Sequence, residues 1–279
     1  MNVPLQSSRN REIATGRPRR LAAFTIIELL VVMGIIALLT TIGLPALKGF
    51  GKGTGMAGAQ RQILQDLGLA RLSAINGRTT VYMVFVPPGM TAHFVDLNNG
   101  SISAADRDRW SRQLTNLISG QYTAYAMLTK RTVGDQPGRK TPRYLSEWRR
   151  LPQGILFATN KFRINPNVLI TDPALIPYPV EYRRGFDTNA FPFPASRSPL
   201  WTLPYLAFNS QGQLASGRDE LIPLAEGSIF FAKNNQDQFG AAAPDVIMKP
   251  PDNYTNHFIR INWLTGRASV DEATRPKFK

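Results

Sequence analysis

FTIIELLVVMGIIALLTTIGLPAL, Phe24 to Leu47, is a nearly unbroken apolar run with one acid, Glu28, close to its start. At about 1.5 Å per residue, these 24 residues make a helix of roughly 36 Å. A hydrocarbon core is about 30 Å thick, so the run predicts a membrane-spanning helix. An ionised carboxylate deep in such a helix costs on the order of 2 to 3 kcal/mol, so Glu28 predicts either a shallow position or a dedicated partner.

The residues before the run orient it. Arg17, Arg19 and Arg20 precede it, and arginines flanking a span hold that end on the cytoplasmic side. Residues 1–23, with Pro4, Gly16 and Pro18 and no periodic apolar face, predict an unstructured leader. Everything after Leu47 is then expected on the outer side. A signal-anchor helix and a cleaved secretory signal are the ordinary readings of such a segment. The second fits poorly, because a secretory apolar region is normally about 7 to 15 residues long and is followed by an A-x-A-like site.

Behind this basic leader, Ala22-Ala23 followed by Phe24-Thr25-Ile26-Ile27-Glu28-Leu29-Leu30-Val31-Val32 closely resembles the type IV prepilin and pseudopilin signature. In that family a small residue, usually Gly and here Ala23, precedes the cut; Phe opens the mature chain and Glu stands fifth. Pro45, the twenty-second residue counted from Phe24, matches a proline common in these helices. The resemblance implies that a prepilin peptidase cuts between Ala23 and Phe24 and that the new amine of Phe24 is methylated. It implies that Glu28 pairs with the amino terminus of a neighbouring subunit as pilin subunits join through their N-terminal helices at an inner-membrane assembly platform. The implied location is the bacterial inner (cytoplasmic) membrane, single-pass with a cytoplasmic N-terminus, and a periplasmic or surface filament after assembly.

Residues 48–58 hold five glycines in eleven positions. A phosphate loop needs Gly-Lys followed by Ser or Thr after a strand, whereas Lys52 is followed by Gly53 and a helix comes before. Each glycine costs about 1 kcal/mol in a helix interior, so the run predicts a flexible joint. Ile63, Leu67, Ala70 and Ala74 then recur at helical spacing, with Arg61, Gln62, Asp66 and Arg71 elsewhere on the wheel. This predicts a helix over 59–76 that stops at Asn76-Gly77. Thr79 to Val86 reads as a strand halted by Pro87-Pro88-Gly89, with a helix following at Ala104 to Ile118 and a strand at Tyr122 to Leu128. Residues 165–204 are dense in proline, which central strands exclude, and predict a long surface loop whose aromatics pack on the domain.

Within the pilin group, the stretch Leu64 to Arg78 with a strand directly after it is similar to minor pseudopilins of the GspH and FimT type. Leu151-Pro152-Gln153-Gly154-Ile155, Leu206-Ala207-Phe208 before Gln211-Gly212, and Ile259-Arg260-Ile261 with Thr265-Gly266-Arg267 resemble later segments of that group, in order. The resemblance implies an α+β fold of pilin-like lollipop form. Its long N-terminal helix is membrane-embedded in the first half (24–47) and packs by the second half on an antiparallel β-sheet domain (59–279) with long insertions.

The chain has 279 residues, 43% of them hydrophobic, enough to bury a core. It has no cysteine, which excludes disulfides, zinc-thiolate sites and cysteine nucleophiles. His93 and His257 have no zinc spacing, no Gly-x-Ser-x-Gly elbow is present, and Asp106/Asp108 and Asp219/Glu220 lack the EF-hand pattern. No catalytic residue, metal or cofactor is expected, and the chain reads as no enzyme. The formal charge of +14 falls to +10 once the five arginines and Glu12 of the leader are removed, and such an excess favours anionic partners.

Two functions follow. The first is a minor pilin or pseudopilin, a structural subunit of a type II secretion pseudopilus or type IV pilus-like filament. The second is an anchored minor pilin that binds DNA during its uptake. Its candidate phosphate contacts are Arg139, Lys140, Arg143, Arg149, Arg150, Arg183, Arg184, Arg267 and Arg275, whose affinity would fall steeply with salt.

Overall fold

The structure is a computed structural model that describes residues 26–97, 102–131, 134–136, 141–163, 180–233, 239, 242–249 and 257–271. The chain divides into two units, Met1–Phe50 and Gly51–Lys279. Helix α1, Ile26–Asn76, contributes to both, and its backbone stays helical through the glycine run that the sequence marks as a joint, and through Pro45. It ends where the sequence places its stop. Gly77 N–H donates to the Ser73 carbonyl (2.9 Å) and Thr79 N–H to that of Ala74 (3.2 Å), closing carbonyls that the last turn leaves open.

In the second unit, α1 buries Met56, Ala59, Ile63, Leu67, Ala70 and Ala74, one stripe at three- and four-residue spacing. Against that stripe lie two antiparallel sheets. The first has the order β3-β2-β1-β7-β6, built from β1 (Val81–Phe85), β2 (Ala124–Thr129), β3 (Arg143–Tyr144), β6 (Asp187–Pro192) and β7 (Leu200–Phe208); β4 (Arg149–Arg150) also pairs with β2. The second has the order β11-β10-β8-β5, from β5 (Ile155–Phe157), β8 (Glu220–Phe230), β10 (His257–Ile261) and β11 (Ala268–Asp271), with β9 (Asp245–Lys249) also on β8.

Strand alternation sorts the core. Val81, Met83 and Phe85 of β1, with Tyr125 and Met127 of β2, join the helix stripe and the inner residues Phe157, Ile222, Leu224, Ile259 and Ile261 of the second sheet. Val84, Ala124, Ala126 and Leu128 point the other way and are covered by α3 (Ala104–Ile118), through Trp110, Leu114, Leu117 and Ile118. Both faces of β2 are therefore covered, and all six of its residues are buried. Helix α3 starts at Ser103, whose hydroxyl accepts from the Asp106 N–H (3.2 Å) and donates to the Asp106 carboxylate (2.8 Å). The other helices are short, α2 (His93–Leu97) and α4 (Val180–Arg183).

The expected fold class and location need correction. Apart from α1, the described residues form three short helices and eleven strands in two sheets, not one sheet carried on a membrane-embedded helix. No helix among the described residues is long and apolar enough to cross a membrane. This overturns the pilin-like lollipop with a membrane-embedded first half, the transmembrane helix, and the single-pass inner-membrane placement.

Residues 165–204 also depart from expectation. Instead of one long loop, the segment supplies β6 and the start of β7, and β7 lies between β1 and β6. Pro204 is tolerated because the β1–β7 ladder ends at Val84–Tyr205, so at Pro204 the strand pairs on the β6 side alone. Phe186, Phe191 and Phe193 are fully buried, packing on the domain as the sequence suggested.

Candidate functional site

The sequence singles out the start of α1. Ala23 and Phe24 lie outside the described residues, and of Pro45 only the helical backbone is described. Glu28 is exposed, among the first residues of α1 that the structure describes. Around it, Ile26, Ile27, Leu29, Leu30, Val31, Val32, Met33, Ile35, Ile36, Leu38 and Leu39 are between 44% and 83% exposed. They occupy every side of the helix. A helix apolar all round is the pattern of a buried element, so this one lacks the cover that its chemistry calls for.

In the second unit three polar residues of α1, Gln62, Asp66 and Arg71, are anchors, while Arg61 and Gln65 are exposed. Asp66 is buried; it accepts from the Tyr125 hydroxyl (2.6 Å) and pairs with the Arg149 guanidinium. Burial first, and then this bond to Asp66, push the Tyr125 hydroxyl far above its usual range, so it stays a protonated donor. Gln62 Nε2 donates to the Tyr125 hydroxyl and to the Arg150 carbonyl, each at 2.8 Å. Asp66→Ala is expected to cost about 2 kcal/mol, because it strands a buried hydroxyl and frees β4, a loss that urea unfolding of the full chain measures. One turn further, Arg71 Nε donates to the carbonyls of Thr265 (2.9 Å) and Gly212 (3.2 Å), tying the turn after β7 and the β10–β11 turn to the helix.

This geometry redistributes the basic residues. Arg149 is held by Asp66, and Arg150 donates to Ser119 Oγ (2.9 Å) and to the Asn116 carbonyl. Arg143 is exposed on β3 of the first sheet and Arg267 in the β10–β11 turn of the second, while Arg183 and Arg184 are half-buried at the end of α4. Arg139, Lys140 and Arg275 lie outside the described residues. Arg143, Arg149 and Arg150 thus lie on β3 and β4, which both pair with β2, while Arg267 lies in a turn of the second sheet. No family model, curated protein or solved structure matches the chain.

The other titratable candidates have local structural work. His93 is buried, donating from Nε2 to the Phe193 carbonyl (2.8 Å) with its ring 4.6 Å from Trp201. Asp106 belongs to the α3 cap, and Asp219 accepts from the Trp263 N–H (2.9 Å). Glu220 is buried against the ammonium of Lys161, which also donates to the Glu181 carbonyl (3.0 Å) and lies 5.0 Å from the centre of the Phe186 ring. Burial holds the Lys161 ammonium below its usual range and the Glu220 carboxyl above its own, each shift opposed by the partner's charge. Sequence reading missed this pair because Lys161 belongs to no motif and its partner is 59 residues away. Among the described residues no group of three or more His, Asp or Glu is placed to hold a metal.

Proposed function

We propose that the chain is a structural subunit of a type IV pilin-like or pseudopilin-like filament, joined to its neighbours through the apolar part of α1. The observation that carries this reading is the exposed, all-round apolar stretch Ile26 to Leu39, a surface that only a bundle of like helices or an equivalent apolar partner satisfies. The signature around Ala23, Phe24 and Glu28 supports a peptidase cut before Phe24 and methylation of its amine. In the assembled state Glu28 then answers the amino terminus of an adjacent subunit, an ion pair whose disruption in an apolar bundle is costly. The second unit, with its core closed around α1, supplies the contacts outside the bundle.

The test is Glu28→Ala in the full chain, followed by co-sedimentation with the assembled filament and by N-terminal sequencing. Incorporation is expected to fall by at least about tenfold, with the amount of processed subunit beginning at Phe24 unchanged. Undiminished incorporation of that variant defeats the reading.

A further inference from the structure

A polar cavity of about 650 Å³ opens where α1 gives way to β1. Arg78, Thr80, Arg131, Asn209 and Ser210 line it, with Asp135 as the acid at its wall. Two of these residues are cations whose backbones are fixed. Arg78 follows the helix stop in a left-handed conformation, φ +46°, with its N–H donating to the Ile75 carbonyl (3.2 Å). Arg131 is held by two hydroxyls: Thr129 Oγ1 and Thr79 Oγ1 (3.3 Å) both donate to its carbonyl.

The guanidinium groups are not spent on the fold. Both arginines are exposed, and neither side chain hydrogen-bonds or pairs with a described residue. Nor are they needed to close the helix, whose carbonyls at Ser73, Ala74 and Ile75 already accept from backbone N–H groups. A left-handed non-glycine residue costs about 1 to 2 kcal/mol, and glycine would occupy the site without that cost. An arginine kept there at such a cost is a reason to look for what its side chain binds.

We propose that this cavity is a binding site for phosphate-type oxyanions, taken by Arg78 and Arg131 and flanked by the hydroxyl and amide groups of Thr80, Ser210 and Asn209. The guanidinium fork matches an oxyanion, and the lining includes no aromatic ring on which a base would stack, so recognition is of the charged group itself. Its volume suits a small phosphate ester or one segment of a polynucleotide backbone. The site shares no residue with the apolar stretch Ile26 to Leu39 and stands whether or not the filament assignment does.

The experiment titrates the full chain, kept soluble in detergent, with inorganic pyrophosphate and with a labelled single-stranded oligonucleotide at two salt concentrations. Binding of pyrophosphate places the site among those for free phosphates, and binding of the oligonucleotide alone places it on a polymer backbone; either supports the proposal when the variants respond. Arg78→Gly and Arg131→Gln are each expected to weaken binding roughly tenfold. Arg109→Gln, exposed on α3 and outside the cavity lining, is expected to leave it unchanged. Arg78→Gly should also keep or raise the melting temperature, because it relieves the left-handed strain, so its loss of binding cannot be ascribed to unfolding. Failure of both probes to bind at low salt, or binding indifferent to Arg78→Gly and Arg131→Gln, overturns the proposal.

Discussion

Gly266→Ala is expected to cost about 3 kcal/mol or more of stability, whereas Gly217→Ala should cost only about 1 to 2 kcal/mol. Both glycines have positive φ, +61° and +66°, so both substitutions carry the left-handed penalty. They differ in what a methyl group meets. At Gly217 nothing lies within 4 Å; at Gly266 the new Cβ would fall 1.9 Å from the Gly212 carbonyl oxygen, a backbone atom that cannot rotate away. That oxygen also accepts from Arg71, so opening the gap loosens the junction of α1, the exit from the first sheet and the β10–β11 turn together. Urea unfolding of the two variants followed by tryptophan fluorescence decides it. Equal losses would show that the two turns do not approach as closely as described.

That junction marks how much of the fold the sequence discloses. Gly212 and Gly266 are legible as turn glycines, and Ile63, Leu67, Ala70 and Ala74 as a buried stripe, because those signals are local and periodic. The contact of one turn with the other, through an arginine 141 residues from the first and 194 from Thr265 beside the second, leaves no local trace. Asp66 shows the same limit. On a helical wheel it counts as a solvated residue, yet partners 59 and 83 residues away bury it. Pro204 misleads in the opposite sense, since the rule against proline in central strands fails where one neighbouring ladder stops a residue short. Of the candidate site, the apolar run and Glu28 are readable directly, while the placing of Arg143, Arg149 and Arg150 on two strands beside β2 is a property of topology alone.

Lys161→Met is expected to cost about 3 to 5 kcal/mol, and Glu220→Leu a similar amount, whereas the double variant should recover most of the loss. Both side chains are buried, and removal of one leaves the other charge without its direct partner, beside Phe186 and with Arg218 and Asp187 as the remaining nearby charges. Replacing both removes the two desolvation costs along with the attraction. The pH dependences of the single variants distinguish this from mere loss of packing. In Lys161→Met the remaining carboxyl, raised by burial, favours the folded state when protonated. That contribution is complete below its ordinary value of 4.5 and is lost as pH rises through the folded-state value, so the variant should be least impaired in acid. In Glu220→Leu the remaining amine, lowered by burial, is tolerated when neutral. Its contribution is present above 10.5 and is lost as pH falls through the folded-state value, so this variant should be least impaired in alkali. Unfolding curves across pH should therefore slope in opposite directions for the two single variants and flatten in the double; parallel slopes, or a double variant as weak as either single, would remove the buried pair from the account of what holds the second sheet in place.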